Sequence, residues 1–208
     1  MELILASNSP RRRYLLDLLG WDFRVIPADV DESLVPDESP SKYVLRLVES
    51  KARAVGAQVS ADAVVVAADT TVVDGNEILG KPVDSADAEQ MLRQLRGRVH
   101  QVCTAVAVMR AADGVLLTDV CVTDVPMRDY NDTDMLAYIA SGDPLDKAGA
   151  YAIQHAGFHP AENLQGCYAN VVGLPLCHLA RIFRKLGYPS GTDLPQVCQA
   201  VFGYQCNL

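Results

Sequence analysis

The first twenty residues constrain the fold of this 208-residue chain most strongly. Residues 3–6 are a short apolar run typical of a buried strand, and four leucines at helical spacing follow it before Gly20. Between these two segments, Ser9 is a favoured N-cap residue and Pro10 suits the first turn of a helix. The pattern therefore predicts a strand, a loop and a helix in direct succession.

The start of this helix is also a candidate anion site. Free backbone N–H groups and the positive end of the helix dipole attract an anion, whereas Arg11, Arg12 and Arg13 in the first turn are unfavourable there without one. The three cations therefore favour an anionic ligand. A capped surface helix with a solvated basic turn explains the same residues equally well.

Composition limits the class of protein. The net charge of −8 argues against binding of nucleic acid polymers, so the local arginine cluster favours a small phosphorylated ligand. No apolar run reaches the roughly 20 residues that span a bilayer, and no basic segment precedes the first one, so we expect neither a membrane segment nor a secretory signal. Six cysteines without a C-x-x-C pair favour a reducing compartment over a zinc site. We expect one cytoplasmic domain.

A second predicted helix, residues 41–56, contains a lysine in an unusual place. Lys51 lies on the apolar stripe of this helix, at helical spacing from Val44, Val48 and Val55. It must extend along the apolar surface, pair with a carboxylate or meet a ligand. The acidic loop before the helix, residues 28–38, holds five carboxylates, including Glu32. The loop is either an ordinary solvated segment or a place where a divalent cation approaches phosphates.

A further carboxylate follows a buried strand. Residues 63–68 are continuously apolar, as in a strand covered on both faces, and they end at Asp69 and Thr70. Ligands bind at such strand ends in open α/β sheets, and partial desolvation would raise the pKa of Asp69 toward that of a general base. The alternative is a strand-terminating aspartate bonded to nearby backbone. Val72 and Val73 continue the strand, and a predicted hairpin at residues 74–75 then brings Lys81 beside Asp69.

Helices and strands alternate through the rest of the chain. The patterns predict helices at 85–95, 133–141 and 174–186, a long antiparallel hairpin of 99–109 with 115–127, and a short strand at 150–153. We interpret His100 as a hydrogen-bonded strand residue, because no carboxylate is near it in sequence. Gln154 carries both a donor and an acceptor, which suits the edge of a base. Residues 188–208 are predicted to form a loosely packed, peripheral tail.

Eight short motifs, in collinear order across about residues 3–186, resemble the Maf family of nucleotide pyrophosphatases. They are Ala6-Ser7-x-Ser-Pro-Arg-Arg, Asp31-Glu32, Glu49-Ser50-Lys51-Ala52, Ala68-Asp69-Thr70, Gly80-Lys81-Pro82, His100-Gln101-Val102-x-Thr104, residues 146–154 and residues 170–176. Each motif alone is weak, but the ordered set is specific. The resemblance implies an α/β fold with a long mixed sheet flanked by helices, two lobes around a cleft, similarity to inosine-triphosphatase-like proteins, and a homodimer. It divides the chain into a Maf-like domain, residues 1–187, and the tail, residues 188–208.

The resemblance also implies a metal-dependent enzyme that cuts a nucleoside triphosphate between the α- and β-phosphates. Asp69 matches the family's proton acceptor, and Glu32 with Asp69 would hold Mg²⁺ or Mn²⁺. Three cations would neutralise the phosphates, while Ser7 and the helix N-terminus cradle them. These cations are Lys51, Lys81 and Arg12.

Three positions resemble the dTTP/UTP branch of the family, namely Arg11, Thr70 and Gln154. The chain departs from the family pattern at His155, where glycine usually follows the glutamine, and in residues 156–167. Two alternatives stay open at this point. One is a non-enzymatic nucleotide-sensing regulator of septum formation, and the other is a house-cleaning hydrolase acting on inosine triphosphate.

Overall fold

The computed structural model describes residues 2–203, which form a mixed sheet flanked by helices. The elements are β1 (Glu2–Leu5), α1 (Pro10–Asp17), β2 (Phe23–Val25), α2 (Pro40–Gly56), β3 (Ala63–Asp74), β4 (Glu77–Leu79), α3 (Ser85–Leu95), β5 (Val99–Arg110), β6 (Leu116–Pro126), α4 (Asp132–Ala140), α5 (Tyr168–Val172), α6 (Leu176–Lys185) and α7 (Leu194–Phe202). The predicted strand, loop and helix at the start of the chain are confirmed, as is the long hairpin of β5 and β6. No helix within residues 2–203 is long and apolar enough to cross a membrane.

The sheet has the strand order β2-β1-β3-β5-β6, and β4 pairs with β3. Strand β1 runs parallel to β2 and β3, whereas β3 pairs with β5, and β5 with β6, in antiparallel fashion. The predicted mixed sheet is therefore confirmed.

Helices cover both faces of the sheet near β1. The apolar stripe of α2 packs on one face, where Val44, Val48 and Val55 are fully buried. Leucines of α1 and the α6 residue Phe183 pack on the opposite face. Burial of each such side chain contributes about 1.5–3 kcal/mol, so this two-sided packing is what holds the first lobe together.

The outer halves of the long strands form a second lobe. Here Val102 and Val125 pack against Leu92 of α3 and Met135 of α4 in a separate apolar cluster. The two lobes share strands β3, β5 and β6, as the predicted two-lobed architecture requires.

A gap in the pairing of β3 separates the lobes along one edge of the sheet. Along β3, pairing with β1 stops at the Leu5–Val66 partners, and pairing with β4 starts at the Leu79–Val72 partners. Residues 67–71 lie between these two ladders. Asp69 ends the apolar run but not the strand, because β3 continues through Val72 and Val73 to Asp74, as predicted, and it is β1 that ends. Asp69 still lies beside the carboxyl end of a parallel strand, where α/β proteins bind ligands.

The strand predicted at residues 150–153 is not formed. A 3₁₀ turn, Ala148–Ala150, stands there instead, with Gly149 at φ +67° and Ala150 at φ +60°. A Cβ at Gly149 would lie 2.9 Å from the side chain of Val72, so only glycine lets the turn pack this closely on β3. Burial of the apolar residues produced the strand-like pattern, because a buried turn and a buried strand need the same side chains.

The expectation of a loosely packed tail is wrong for part of its described length. Helix α7 is capped by Asp193, whose side chain accepts a hydrogen bond from the Gln196 N–H at 3.3 Å. Leu194 and Cys198 of this helix are buried in the core of the first lobe. Residues 204–208 lie outside the described residues, and the boundary at residue 187 stays a prediction.

His100 is confirmed as a hydrogen-bonded strand residue. It is 2% exposed, and its Nε2 lies 2.8 Å from the hydroxyl oxygen of Tyr151. Burial lowers the pKa of His100 from 6.5 to about 4, although the charge of Asp74 opposes the shift. The imidazole is therefore neutral at neutral pH.

Because the pKa of the buried His100 is low, we expect acid to destabilise the folded protein. Below pH 6.5 the unfolded chain binds a proton at His100, whereas the folded chain binds it only near pH 4. The free energy of unfolding should therefore fall as the pH drops through this window, by up to about 3 kcal/mol. Urea unfolding of wild type and His100→Gln across the window tests this, with His159→Gln as the exposed control. Parallel pH dependences for wild type and His100→Gln would contradict it.

Candidate active site

A cleft of about 560 Å³ opens at the gap between β1 and β4. Every residue predicted for the site lines it, although the residues come from six separate segments of the chain. They are Ser7, Arg11, Arg12, Glu32, Lys51, Asp69, Thr70, Lys81 and Gln154. The structure thus brings the predicted set together, and the role of each residue stays a prediction.

The N-terminus of α1 forms one wall of the cleft. The Ser9 side chain caps the helix by accepting a hydrogen bond from the Arg12 N–H, and Pro10 occupies the first turn. The Ser7 hydroxyl oxygen accepts from the Ser9 N–H at 3.2 Å, which folds the loop back on itself. The predicted capped helix start is confirmed, and its N-terminal end faces the cleft.

Lys51 pairs with two carboxylates. Its Nζ lies 2.6 Å from Glu32 Oε1 and 2.5 Å from Asp69 Oδ1. Lys51 is 7% exposed, so its ammonium group does not extend into solvent. Of the three outcomes expected for this lysine, pairing is the one observed. One cation of α2 thus ties the acidic loop to strand β3.

Electrostatics keep Glu32 ionised. Its partial burial raises the pKa, but the hydrogen bond from Lys51 and the positive charges of Lys51, Lys81 and Arg12 outweigh this effect. The pKa of Glu32 is therefore below its usual value. A carboxylate that stays charged at neutral pH is available to balance cations in the cleft.

Helix α2 also holds the acidic loop in place. The Tyr43 hydroxyl donates to the Glu32 carbonyl at 3.0 Å, and Arg46 donates to the Ser33 carbonyl at 2.9 Å. Arg46 further binds both carboxylate oxygens of Glu38, at 2.8 and 2.7 Å. Sequence reasoning missed Tyr43, although it lies two helical turns before Lys51 on the same face of α2.

Asp69 and Thr70 point to opposite faces of the sheet, because successive residues of a strand alternate. Asp69 faces α2 and meets Lys51, whereas Thr70 faces α1 and meets Arg12. Both side chains reach the same cleft because residues 67–71 form its edge between the two ladders. The cleft therefore wraps around the edge of β3.

Arg12 is held by three hydrogen bonds. Its guanidinium donates to the Gly173 carbonyl at 3.0 Å, to Thr70 Oγ1 at 3.1 Å and to Ser7 Oγ at 3.4 Å. Burial lowers the pKa of Arg12, and the negative charge of Asp69 opposes that shift. Gly173 has φ +120°, and a Cβ there would lie 3.3 Å from Thr70 Oγ1. Glycine at this position allows the carbonyl to approach the guanidinium.

Two buried polar residues behind Thr70 received no role from the sequence. Thr104 Oγ1 lies 3.0 Å from Thr70 Oγ1 and 3.0 Å from the Asn170 carbonyl oxygen. Thr104 and Asn170 are both fully buried. The sequence signal for Thr104 was a single hydroxyl among the apolar residues of β5, because a buried polar group needs a hydrogen-bond partner.

The rim of the cleft carries the remaining predicted residues. Arg11 lies at 3.9 Å from Asp146, which also receives a 2.6 Å hydrogen bond from Lys147. The exposed Lys81 follows Gly80, whose carbonyl accepts from the Gly149 N–H at 3.0 Å. The 3₁₀ turn thus anchors the loop that carries Lys81 to the second lobe.

His155, which departs from the family pattern, stabilises the loop in which it lies. Its Nδ1 accepts from the Phe158 N–H at 2.9 Å, and its ring packs against Tyr138 at 4.7 Å between centroids. The preceding Gln154 stays exposed at the rim of the cleft. The histidine therefore closes a turn beside the cleft and leaves the glutamine amide accessible.

A helix N-terminus, two lysines, an arginine and a carboxylate pair meet beside the end of a parallel strand. The protein is thus an α/β protein with a cleft whose cations and helix N-terminus suit an anionic ligand. The family model described as Maf-like protein matches residues 2–186. The chain belongs to the Maf family.

Curated relatives match nearly the whole chain. A protein of Anaeromyxobacter dehalogenans named dTTP/UTP pyrophosphatase is 48% identical over 195 residues, covering 93% of this chain and 98% of the relative. Relatives with the same name from Geotalea uraniireducens and Thermomicrobium roseum are each 47% identical, covering 89% and 96% of this chain and 95% and 92% of their own lengths. A solved HAM1 protein of Coxiella burnetii is 15% identical with a TM-score of 0.43, covering 62% of this chain and 74% of that one. The family resemblance seen in the motifs is thus confirmed by the sequence relatives.

Proposed function

We propose that this protein hydrolyses dTTP and UTP between the α- and β-phosphates, giving a nucleoside monophosphate and pyrophosphate. The names of the relatives support this substrate class. The observation that carries the proposal is Asp69, held by Lys51 in a cleft that also contains Lys81, Arg12 and the N-terminus of α1. That combination supplies a proton acceptor and cations for a phosphate chain.

Asp69 is the proposed proton acceptor. Lys51 bonds its Oδ1, which fixes the carboxylate and leaves Oδ2 for a water molecule. Transfer of a proton from this water to Asp69 generates the nucleophile that attacks the α-phosphorus in line with the pyrophosphate leaving group. Because Asp69 is nearly buried, the carboxylate is oriented by protein groups rather than by bulk solvent.

The cations of the cleft stabilise charge on the phosphates. In this proposal Lys51, Lys81 and Arg12 bind phosphoryl oxygens of the triphosphate. The free N–H groups of α1 and the Ser7 hydroxyl bind the remaining phosphoryl oxygens. Arg12 is preorganised because its hydrogen bonds to Gly173 and Thr70 hold it before the ligand arrives.

We further propose Glu32 and Asp69 as ligands of Mg²⁺ or Mn²⁺. Mg²⁺ is commonly bound by one or two carboxylates together with substrate phosphates, and these two side chains fit that donor set. Lys51 bonds one oxygen of each carboxylate, which leaves Glu32 Oε2 for the cation. Asp69 Oδ2 has two lone pairs, so it can bind the cation and still accept a hydrogen bond from the water molecule. A bound cation would supply neutralisation of phosphate charge.

A substrate panel tests this function. Pyrophosphate release is measured with dTTP, UTP, CTP, 7-methyl-GTP and ITP, each with Mg²⁺, with Mn²⁺ and with EDTA. We expect release from dTTP and UTP that EDTA abolishes. Nucleotide binding without turnover would instead support a regulator, and turnover of ITP alone would support the house-cleaning hydrolase. Activity that persists in EDTA would refute the metal requirement.

A homodimer and a cytoplasmic location complete the proposal. The homodimer is supported by the family resemblance, and sedimentation equilibrium of the purified chain tests it. The cytoplasmic location is supported by the nucleotide substrates of the named relatives and by the buried thiols of Cys103, Cys121 and Cys167. Cell fractionation tests that location.

A further inference from the structure

The hydroxyl group of Thr104 has only one way to keep both of its hydrogen bonds. It lies 3.0 Å from the Asn170 carbonyl oxygen, which can only accept, so Thr104 gives its single hydrogen to that carbonyl. Thr70 Oγ1, its cross-strand neighbour on β3, lies 3.0 Å from the same hydroxyl. Thr104 can therefore act only as an acceptor toward Thr70.

The donor in the second bond is consequently Thr70. If Thr104 donated to Thr70 instead, the bond to the Asn170 carbonyl would be lost in a place where Thr104 is 0% exposed and water has no access. The observed distances thus favour one direction, from Thr70 to Thr104 to the Asn170 carbonyl.

The Asn170 carbonyl, which ends this series of hydrogen bonds, is itself held in place. The Asn170 side-chain amide donates to the Val102 carbonyl at 3.0 Å and to Thr123 Oγ1 at 2.9 Å. These bonds tie α5 to strands β5 and β6, so the Asn170 carbonyl has a defined position behind the cleft.

The Thr70 hydroxyl has one hydrogen-bonding position left for a ligand. Its hydrogen goes to Thr104, and one of its two lone pairs accepts the Arg12 Nη2–H at 3.1 Å. One lone pair remains. Since Thr70 lines the cleft, it offers a ligand an acceptor and not a donor.

We propose that Thr104 and Asn170 are positioning residues that fix Thr70 as an acceptor for the N3–H of uracil or thymine. Cytosine has a lone pair at N3, so it would face the lone pair of Thr70 and be rejected. Neither positioning residue needs to touch the nucleotide. The inference rests on the proposed pyrimidine triphosphate hydrolysis and adds the reason for its base preference.

The ratio of kcat/KM for UTP to that for CTP tests the inference. We expect Thr104→Val to lower this ratio about tenfold, because the Thr70 hydrogen is released and can then be donated to N3 of cytosine. Thr104→Ser keeps the hydroxyl and should keep the ratio. The matched control is Tyr130→Phe, which removes a fully buried hydroxyl that donates to the Leu92 carbonyl away from the cleft and should lower only the melting temperature.

A second variant covers the case in which Thr104→Val fails to fold. Thr70→Val removes the acceptor from a half-buried position, so the variant should lose its preference for UTP over 3-methyl-UTP, which lacks N3–H. An unchanged UTP-to-CTP ratio in folded Thr104→Val, or an unchanged preference for UTP over 3-methyl-UTP in Thr70→Val, would overturn the inference alone, provided that wild type hydrolyses UTP. Failure of wild type to hydrolyse UTP at all would overturn the proposed function instead.

Discussion

Asp69→Asn is expected to lower the rate of pyrophosphate release from dTTP and UTP about 1,000-fold. Asparagine has nearly the same shape as aspartate, but its amide cannot accept the proton of the attacking water. Nucleotide binding should stay within a few-fold of wild type, because Lys81, Arg12 and the N-terminus of α1 are unchanged. Single-turnover kinetics and equilibrium binding of UTP, measured on the same preparation, separate the two effects.

The matched control for this variant is Asp74→Asn. Asp74 belongs to the same strand and also pairs with a cation, since its Oδ1 lies 3.1 Å from Arg98. It does not line the cleft, so its replacement should leave the turnover rate near the wild-type value. Turnover by Asp69→Asn at the wild-type rate would exclude Asp69 as the proton acceptor.

Much of the site could be predicted because its signals are local in sequence. The N-cap Ser9 and the position of Lys51 on an apolar stripe are features of single helices, which periodicity and capping rules describe. The pairing partner of Lys51 was not determined by these rules. Glu32 and Asp69 reach it from 19 and 18 residues away along the chain, through the packing of α2 on the sheet.

The shape of the cleft could not be predicted, because it depends on where two strand ladders stop. Nothing local marks residues 67–71 as the edge between β1 and β4, because the sequence of β3 does not show where its neighbours stop pairing with it. The contact of Arg12 with Gly173 joins residues 161 positions apart, so it appears only in the folded chain. The same is true of the direction of the Thr70–Thr104 hydrogen bond.

Helix α2 holds both carboxylates of the cleft and the acidic loop in place. It presents Lys51 to both carboxylates, while Tyr43 and Arg46 on its earlier turns hold the backbone of the acidic loop. The distance between Glu32 and Asp69 is thus set by one rigid helix rather than by the loop. Rigid supporting groups of this kind are what keeps a site in its productive geometry.

Lys51→Met is therefore the substitution with the second largest expected effect. Methionine fills much the same apolar space in α2 but leaves Glu32 and Asp69 without the cation that joins them. The variant also lacks a cation for the developing phosphate charge, and we expect kcat/KM for UTP to fall about 100-fold or more. Steady-state kinetics with Mg²⁺ checks the magnitude.

The pH dependence of the same variant distinguishes an electrostatic effect from a packing effect. Lys51 helps to hold the pKa of Glu32 below its usual value, so its removal should raise that pKa. If ionised Glu32 is required, the acidic limb of kcat/KM moves to higher pH in Lys51→Met, because protonation of Glu32 then begins at a higher pH. The control is Lys42→Met, an exposed lysine of the same helix that should keep the wild-type profile. An acidic limb that stays in place in Lys51→Met would mean that Lys51 acts on the substrate phosphates and not through Glu32.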